Sequence, residues 1–102
     1  MRSIIQTDNE SCFICRSAIG TETHHIFGGQ PNRSHSDDDG LVIRICRRCH
    51  DEIHHGKNCK DMMDKYHKLG QTKWEAFYGP GLRMAGIDPR EKFRERYGKS
   101  WL

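Results

Sequence analysis

The sequence predicts an α+β fold: a small β region stapled by metal in the N-terminal half, followed by two or three helices. Two observations lead to this prediction. Four of the five cysteines form two Cys-x-x-Cys pairs, Cys12/Cys15 and Cys46/Cys49, with a 30-residue segment between them. Strand-like segments precede the second pair, whereas apolar residues recur at helical spacing after it.

The composition predicts one domain over residues 1–102 with a thin core. Only 34% of the residues are hydrophobic and 30% are charged. Such small domains often need a metal ion or disulfides for stability. No apolar run approaches membrane-spanning length, and "MRSIIQTDNES" is too short and polar for a signal peptide. We therefore expect a cytoplasmic protein and no membrane partner. In that reducing compartment, paired cysteines bind metal more often than they form disulfides.

The charge is unevenly distributed along the chain. Residues 1–40 carry a formal charge of −3 and residues 41–102 a charge of +6, for a net charge of +3. A mildly basic C-terminal half suits a polyanionic partner such as nucleic acid. A solvated surface is the simpler explanation, and charge alone favours it.

Local patterns predict the N-terminal elements in order. Residues 2–6, "RSIIQ", and residues 23–27, "THHIF", are predicted strands. Residues 28–40 are a loop by composition. Residues 41–45, "LVIRI", form a third predicted strand, and "CRRCHDEIHH", residues 46–55, begins a helix.

Helical spacing dominates the C-terminal half. Residues 58–69 predict one helix, with Gly70 as its C-cap. A second short helix is predicted over residues 71–79, followed by a loop at 80–86. Pro89 occupies the first position of a last helix, which Asp88 caps and Gly98 ends. The aromatic residues expected in the core are Trp74, Phe77, Tyr78, Phe93, Tyr97 and Trp101.

The two cysteine pairs predict a structural zinc site. Four thiolates at about 2.3 Å complete a closed tetrahedral site. A redox Cys-x-x-Cys is the alternative, but it would not need a second pair. Zinc bound by Cys12, Cys15, Cys46 and Cys49 would supply folding energy that the core lacks. Cys59 lies outside this set and is expected to be a free thiol.

The histidines form two groups in the sequence. His24 and His25 are adjacent on a predicted strand, so their side chains point to opposite faces. His50 and His54 are four residues apart and share one face of a helix. We expect His24, His50 and His54 to bind a second, divalent ion, and His25 to act as a general base. The alternative is that they are ordinary surface or core histidines.

The order of these segments resembles a known family. Cys-x-x-Cys, "HHIFGG", "GLVIRIC" and "CRRCHDEIH" resemble the His-Asn-His (HNH) endonucleases of the ββα-metal superfamily, particularly the small zinc-stapled proteins of bacteriophages and prophages. The resemblance covers about residues 10–56 and leaves about 57–102 as a helical extension. It implies a ββα core around a divalent ion, in a protein of DNA recombination or processing within a bacterial host cell.

The resemblance also implies an activity and assigns roles by position. The reaction is hydrolysis of DNA phosphodiester bonds to 5′-phosphate and 3′-hydroxyl ends. His25 matches the base, and His24, His50 and His54 match the metal ligands. The family's middle Asn is missing from "SDDDGLVI". Asp38, Asp39 or Gly40 would have to orient the base instead, and of these Asp39 is our candidate.

The expected partners follow from these assignments. DNA would be held mainly at its phosphates, with Arg33, Arg47 and Arg48 as candidate contacts. The catalytic ion could be Mg, Mn, Ni or Zn, although imidazole ligands favour transition metals. Some phage HNH proteins work with a recombinase or packaging machinery, and the sequence leaves such a partner, and a monomer or homodimer, open. The competing hypothesis is a non-catalytic zinc module that binds nucleic acid or protein.

Overall fold

A two-stranded antiparallel sheet and four helices make up the fold, which confirms the predicted α+β class. The computed structural model describes residues 3–8 and 10–102, and these counts refer to that part of the chain. In chain order the elements are β1 (Thr21–His25), α1 (Asn32–Asp39), β2 (Val42–Cys46), α2 (Arg47–His55), α3 (Cys59–Met84) and α4 (Pro89–Tyr97).

The sheet and α2 form a compact ββα unit. Strand β1 pairs with β2 so that His24 lies opposite Ile43 and His25 opposite Val42. Strand β2 is largely apolar and largely buried. Helix α2 begins at the next residue and buries Ile53. The predicted strands around His24 and Ile43, and the helix after Cys46, are therefore confirmed.

Helix α1 connects β1 to β2 along the chain, so the loop predicted over residues 28–40 was wrong for residues 32–39. The segment is too polar to show a helical pattern, and tertiary contacts hold it. The buried Ser36 hydroxyl accepts a hydrogen bond from the Phe27 N–H and donates one to the Phe27 carbonyl, both at 3.1 Å. Gly40, at φ 79°, ends the helix in the left-handed conformation and returns the chain to β2.

Residues 3–6 lie beside β2 without forming a strand. The strand predicted over residues 2–6 is wrong for residues 3–6, and residue 2 lies outside the described residues. Two side chains make hydrogen bonds to the backbone of β2, where a neighbouring strand would use its own backbone groups. The Ser3 hydroxyl donates to the Val42 carbonyl at 2.5 Å, and the Gln6 amide oxygen accepts from the Arg44 N–H at 2.8 Å.

Helix α3 is a single element of 26 residues, where the sequence predicted two short helices and a loop. Gly70, the predicted C-cap, lies within it. A Cβ at this position would be 2.6 Å from Cγ2 of Ile26, so the glycine permits close approach of α3 to the chain after β1. The predicted break was wrong because the glycine serves packing and does not end the helix.

The caps of helix α4 are as predicted. The Asp88 carboxylate accepts a hydrogen bond from the Arg90 N–H at 3.3 Å, and Pro89 is the first helical residue. Gly98 follows the helix at φ 91°. These local signals succeed because each depends on the chemistry of one backbone position.

An aromatic cluster joins the C-terminal helices to the ββα unit. Phe27, just after β1, has its ring centroid 4.6 Å from that of Trp101 and 4.9 Å from that of Tyr97. Most of the predicted core aromatics are buried or packed against this core, but Phe77 is 62% exposed and was wrongly assigned to it. The rings of the cluster are those of Phe27, Trp74, Phe93, Tyr97 and Trp101.

The helices differ from membrane-spanning segments in composition. A bilayer needs about 20 largely apolar residues in one helix. Helix α3 exceeds that length, but charged side chains recur along it. In the ranges 3–8 and 10–102, no helix combines the length and the apolar character required to cross a membrane.

Candidate metal centres and the surface beside them

The four paired cysteines converge into one group, which we call the cysteine cluster (Cys12, Cys15, Cys46 and Cys49). Their sulfur atoms all lie within 4.8 Å of one another, and Cys15 Sγ is 3.6 Å from Cys46 Sγ. Sulfurs bound tetrahedrally to zinc are separated by about 3.8 Å. All four cysteines are free thiols. The cluster could therefore hold a structural metal ion such as zinc.

Two local structures position these sulfurs. Cys12 and Cys15 lie on a turn in which the Cys12 N–H donates to the Ser17 carbonyl at 2.7 Å. This turn holds Arg16 in the left-handed region at φ 69°, which is uncommon for a residue other than glycine. Cys46 ends β2, and Cys49 lies in the first turn of α2. The cluster thus ties the N-terminal turn to the junction of β2 and α2.

The electrostatics of the cysteine cluster favour a cation. Burial raises the pKa of Cys12, but backbone N–H groups, first those of Cys15 and Cys46, more than offset this and lower it to about 6. Burial, and then the neighbouring sulfurs, raise the pKa of Cys49 to about 12. One thiolate therefore forms readily and opposes formation of the next. A bound cation removes that repulsion, as it does at thiolate metal sites.

Three histidines converge into a second group, the histidine cluster (His24, His50 and His54). One ring nitrogen from each lies within 4.8 Å of the other two. His50 and His54 are on successive turns of α2 with ring centroids 4.5 Å apart, and His24 faces them from β1 at 6.0 and 5.7 Å. These residues could hold a second ion. Three imidazoles are a donor set found at metal sites that keep a position for water or substrate.

The environment of the histidine cluster favours neutral imidazoles. Burial, and then the neighbouring His54 and His50, lower the pKa of His24 to about 4. Burial, followed by the charge of His50, also lowers the pKa of His54. The neutral imidazole is the form that binds a metal ion. At neutral pH His24 and His54 therefore need not lose a proton before they bind a cation.

Glu22 adjoins the histidine cluster, although the sequence analysis did not single it out. Its Oε1 atom lies 3.7 Å from Nδ1 of His50, the separation of a loose ion pair. A carboxylate at that edge favours a proton on Nδ1 and leaves Nε2 for a metal. Strand alternation could have identified this residue, since Glu22 lies two positions before His24 and shares its face of β1.

His25 lies outside the histidine cluster, as adjacent positions on a strand require. Its side chain is 17% exposed, and its Nε2 atom is 3.4 Å from Oδ1 of Asp37. Together with Arg33, it lines an open depression of about 380 Å³. The imidazole is therefore accessible from the surface, beside a carboxylate on α1.

Asp39 has partners other than His25. Its carboxylate accepts hydrogen bonds from Trp74 Nε1 at 2.9 Å, from the Tyr97 hydroxyl at 2.7 Å, and from two Arg96 nitrogens at 2.7 and 2.9 Å. Since these partners belong to α3 and α4, Asp39 fastens α1 to the C-terminal helices. The expectation that Asp39 orients His25 does not fit this geometry. The carboxylate beside His25 is that of Asp37, which is not among the orienting candidates of the sequence analysis.

The three predicted DNA-contacting arginines occupy different environments. Arg33 lines the depression beside His25. Arg47 is 81% exposed, with its Nε atom 3.6 Å from Asp51. Arg48 lies beside the Cys15 sulfur, which raises the pKa of the Arg48 guanidinium. Arg33 is thus the one next to the predicted base, whereas Arg48 borders the cysteine cluster.

Comparison with known proteins gave no match: neither the family models nor the curated proteins nor the solved structures include one that matches this chain. The chemistry of the two clusters and of the surface beside them is therefore what bears on function.

Proposed function

We propose that this protein is a metal-dependent DNA endonuclease of the HNH type. The observation that carries the proposal is the convergence of the histidine cluster, with the accessible imidazole of His25 on the next residue of the same strand. A zinc module that only binds nucleic acid or protein has no need for three histidines to meet at one point. Their convergence therefore favours a nuclease over that alternative.

The order of the elements supports the same proposal. Two antiparallel strands and the helix that follows them supply the histidine cluster, which is the arrangement that the resemblance implies for an HNH core. The cysteine cluster ties the N-terminal turn to the junction of β2 and α2. Zinc bound there would fix the helix that carries His50 and His54.

The donor set fits a divalent ion. An ion held by His24, His50 and His54 would supply charge neutralisation at the scissile phosphate and at the departing oxygen. Imidazole ligands favour Zn, Ni or Mn over Mg. Glu22 would keep the ring of His50 in the orientation that binds the ion.

The surrounding side chains would perform the remaining steps. His25 would remove a proton from the attacking water, which general-base catalysis requires. Asp37 would hold the imidazole of His25 in place. Arg33 would bind a phosphate oxygen in the same depression. The 3′ oxygen leaves, so the products would be a 5′-phosphate and a 3′-hydroxyl.

The wider surface supports phosphate contacts more than reading of bases. The exposed guanidinium of Arg47 is available at the first residue of α2. Arg48 lies one residue further on and would add positive charge next to the cysteine cluster. Contacts of this kind position DNA without selecting sequence, so we expect low sequence specificity.

A nicking assay tests the proposal. The zinc-loaded protein is incubated with supercoiled, nicked, branched and single-stranded DNA while Mg, Mn, Ni or Zn is added separately. The comparison is between wild type, His25→Ala and the matched control His55→Ala, which alters an exposed histidine outside the cluster. We expect metal-dependent cleavage that falls by about 10²- to 10⁴-fold in His25→Ala and is retained in His55→Ala.

Zinc content and melting temperature, measured on all three proteins, separate loss of chemistry from loss of fold. Cleavage by His25→Ala at the wild-type rate would remove His25 as the base. The absence of cleavage by wild type on every DNA form, with zinc bound and the protein folded, would favour the binding module instead.

A further inference from the structure

A second depression borders the histidine cluster at His54. It has a volume of about 330 Å³ and lies between the end of α2, the first turns of α3 and the C-terminal segment. His54 lines it, so it opens directly beside the cluster. The other polar and aromatic side chains that line the depression are those of Lys60, Asp64, His67, Lys99 and Trp101.

The charges in this depression favour an anion. Lys60 lies in the first turn of α3, and Lys99 follows α4. Among the described residues, neither amino group has a carboxylate oxygen within 4 Å. Asp64, the acidic residue at this site, is paired with Lys68 at 2.9 Å. The two lysines therefore leave the depression with a net positive charge.

The wall formed by the C-terminal segment is held in position. The backbone N–H of Trp101 donates to Gln71 Oε1 at 2.7 Å, and Gln71 Nε2 donates to the Ser100 hydroxyl at 2.9 Å. Gln71 is fully buried, and the Trp101 ring packs on Phe27 with centroids 4.6 Å apart. The Nζ atom of Lys99 lies 4.9 Å from the centroid of the same indole ring. This lysine is thus presented by an ordered segment, which lowers the entropic cost of binding a ligand.

Both depressions adjoin the histidine cluster. His25, which lines one, follows His24 on β1, and His54, which lines the other, has its ring centroid 5.7 Å from that of His24. A strand whose scissile phosphate lies at the cluster would pass from Arg33 in one depression to the lysines in the other.

We infer that the second depression is a phosphate subsite, in which Lys60 and Lys99 bind the DNA backbone beside the bond that is cut. This inference rests on the proposed nuclease function. It makes the C-terminal segment part of the substrate site, although the resemblance to HNH proteins stops near residue 56. The ligand is a phosphate of the substrate strand, and the contact is independent of base sequence.

The salt dependence of DNA binding tests this inference. Fluorescence anisotropy of labelled duplex DNA is measured with zinc-loaded His25→Ala protein, which binds without cutting, at several salt concentrations. Each phosphate contact contributes about 0.9 to the slope of log affinity against log salt. The double variant Lys60→Gln/Lys99→Gln should flatten the slope by about 1.8 and weaken binding without lowering the melting temperature.

Lys73→Gln is the matched control, because this lysine is an exposed residue of α3 outside the depression. An unchanged slope in the double variant, or an equal change in Lys73→Gln, would overturn the subsite. If wild type still nicked DNA in either case, the proposed function would stand without it. If wild type neither bound nor cut any DNA, the proposed function and the subsite would both fail.

Discussion

The cysteine and histidine clusters share one helix but differ in how far they are exposed. Cys49 and His50 are consecutive residues of α2, yet one faces the cysteine cluster and the other the histidine cluster. Three of the four cysteines are buried. Of the three histidines, only His24 is buried, whereas His50 is half-buried and His54 exposed.

This difference separates stability from chemistry within one element. A closed set of four sulfurs leaves no ligand position for substrate, so an ion there can only hold the fold together. The histidine cluster has an exposed side and adjoins two surface depressions. If this comparison is correct, substitutions in the two clusters should affect different measurements.

The largest effect should come from the cysteine cluster. Cys12→Ser removes a buried sulfur that joins the N-terminal turn to β2 and α2. Structural zinc contributes an apparent 10–16 kcal/mol in small zinc domains, which is comparable to the whole stability of a small protein. We expect loss of bound zinc and of cooperative thermal unfolding, measured by elemental analysis and circular dichroism.

Cys59→Ser is the control for this prediction, because Cys59 is a free thiol outside the cluster. It should keep both zinc and the unfolding transition. A cooperative transition at the wild-type temperature in Cys12→Ser would show that the cluster is not what holds the fold.

The next effect should come from the exposed end of the histidine cluster. His54→Ala removes one of the three converging imidazoles at an exposed position on α2. We expect affinity for added Mn or Ni to fall by more than about 100-fold, since even groups behind the ligands contribute 10–100-fold. Calorimetric titration measures this affinity, and the structural zinc of the cysteine cluster should be retained.

His55→Ala again serves as the control, since it alters the neighbouring histidine outside the cluster. Loss of the structural zinc in His54→Ala would contradict the separation of the two clusters. Equal affinity for the second ion in His54→Ala and wild type would exclude His54 as a ligand.

Much of this organisation could be predicted from sequence, because its signals are local. Residue spacing pointed to most of the side chains that converge: Cys-x-x-Cys places two sulfurs on one turn, and His50 and His54 are one helical turn apart. The Asp88 cap succeeded for the same reason.

The failures depend on contacts between distant residues. Helix α1 is stabilised by Ser36 against Phe27 and by Asp39 against Arg96, none of which a short polar segment reveals. Gly70 looked like a helix end because its packing partner, Ile26, is far away in the chain. The carboxylate beside His25 was missed because its position depends on α1.

A smaller effect should come from Glu22, which borders the histidine cluster without belonging to it. Glu22→Gln keeps the shape of the side chain but removes the charge 3.7 Å from His50. Groups that orient a metal-binding histidine contribute about 10–100-fold to metal affinity. We expect metal affinity to fall by an amount near the lower end of that range, because Glu22 is half-exposed. Zinc content and melting temperature should be unchanged.

Asp51→Asn separates orientation from general charge in that experiment. Asp51 lies on α2, next to His50 in the sequence, and its carboxylate is paired with Arg47. Asp51→Asn therefore changes the net charge by the same amount as Glu22→Gln. Equal losses in the two variants would mean that Glu22 acts only through long-range attraction.

The smallest effect should come from Asp37, the carboxylate beside His25. Its side chain is 57% exposed and its separation from Nε2 of His25 is 3.4 Å, so the pair is worth at most about 1 kcal/mol. Asp37→Asn should therefore lower kcat/KM for nicking by about fivefold, with Asp38→Asn, its exposed neighbour on α1, as the control. A loss of kcat as large as that of His25→Ala would make Asp37 essential to the base. If kcat/KM does not fall, Asp37 does not position His25, and the strand pairing of His25 with Val42 is enough to do so.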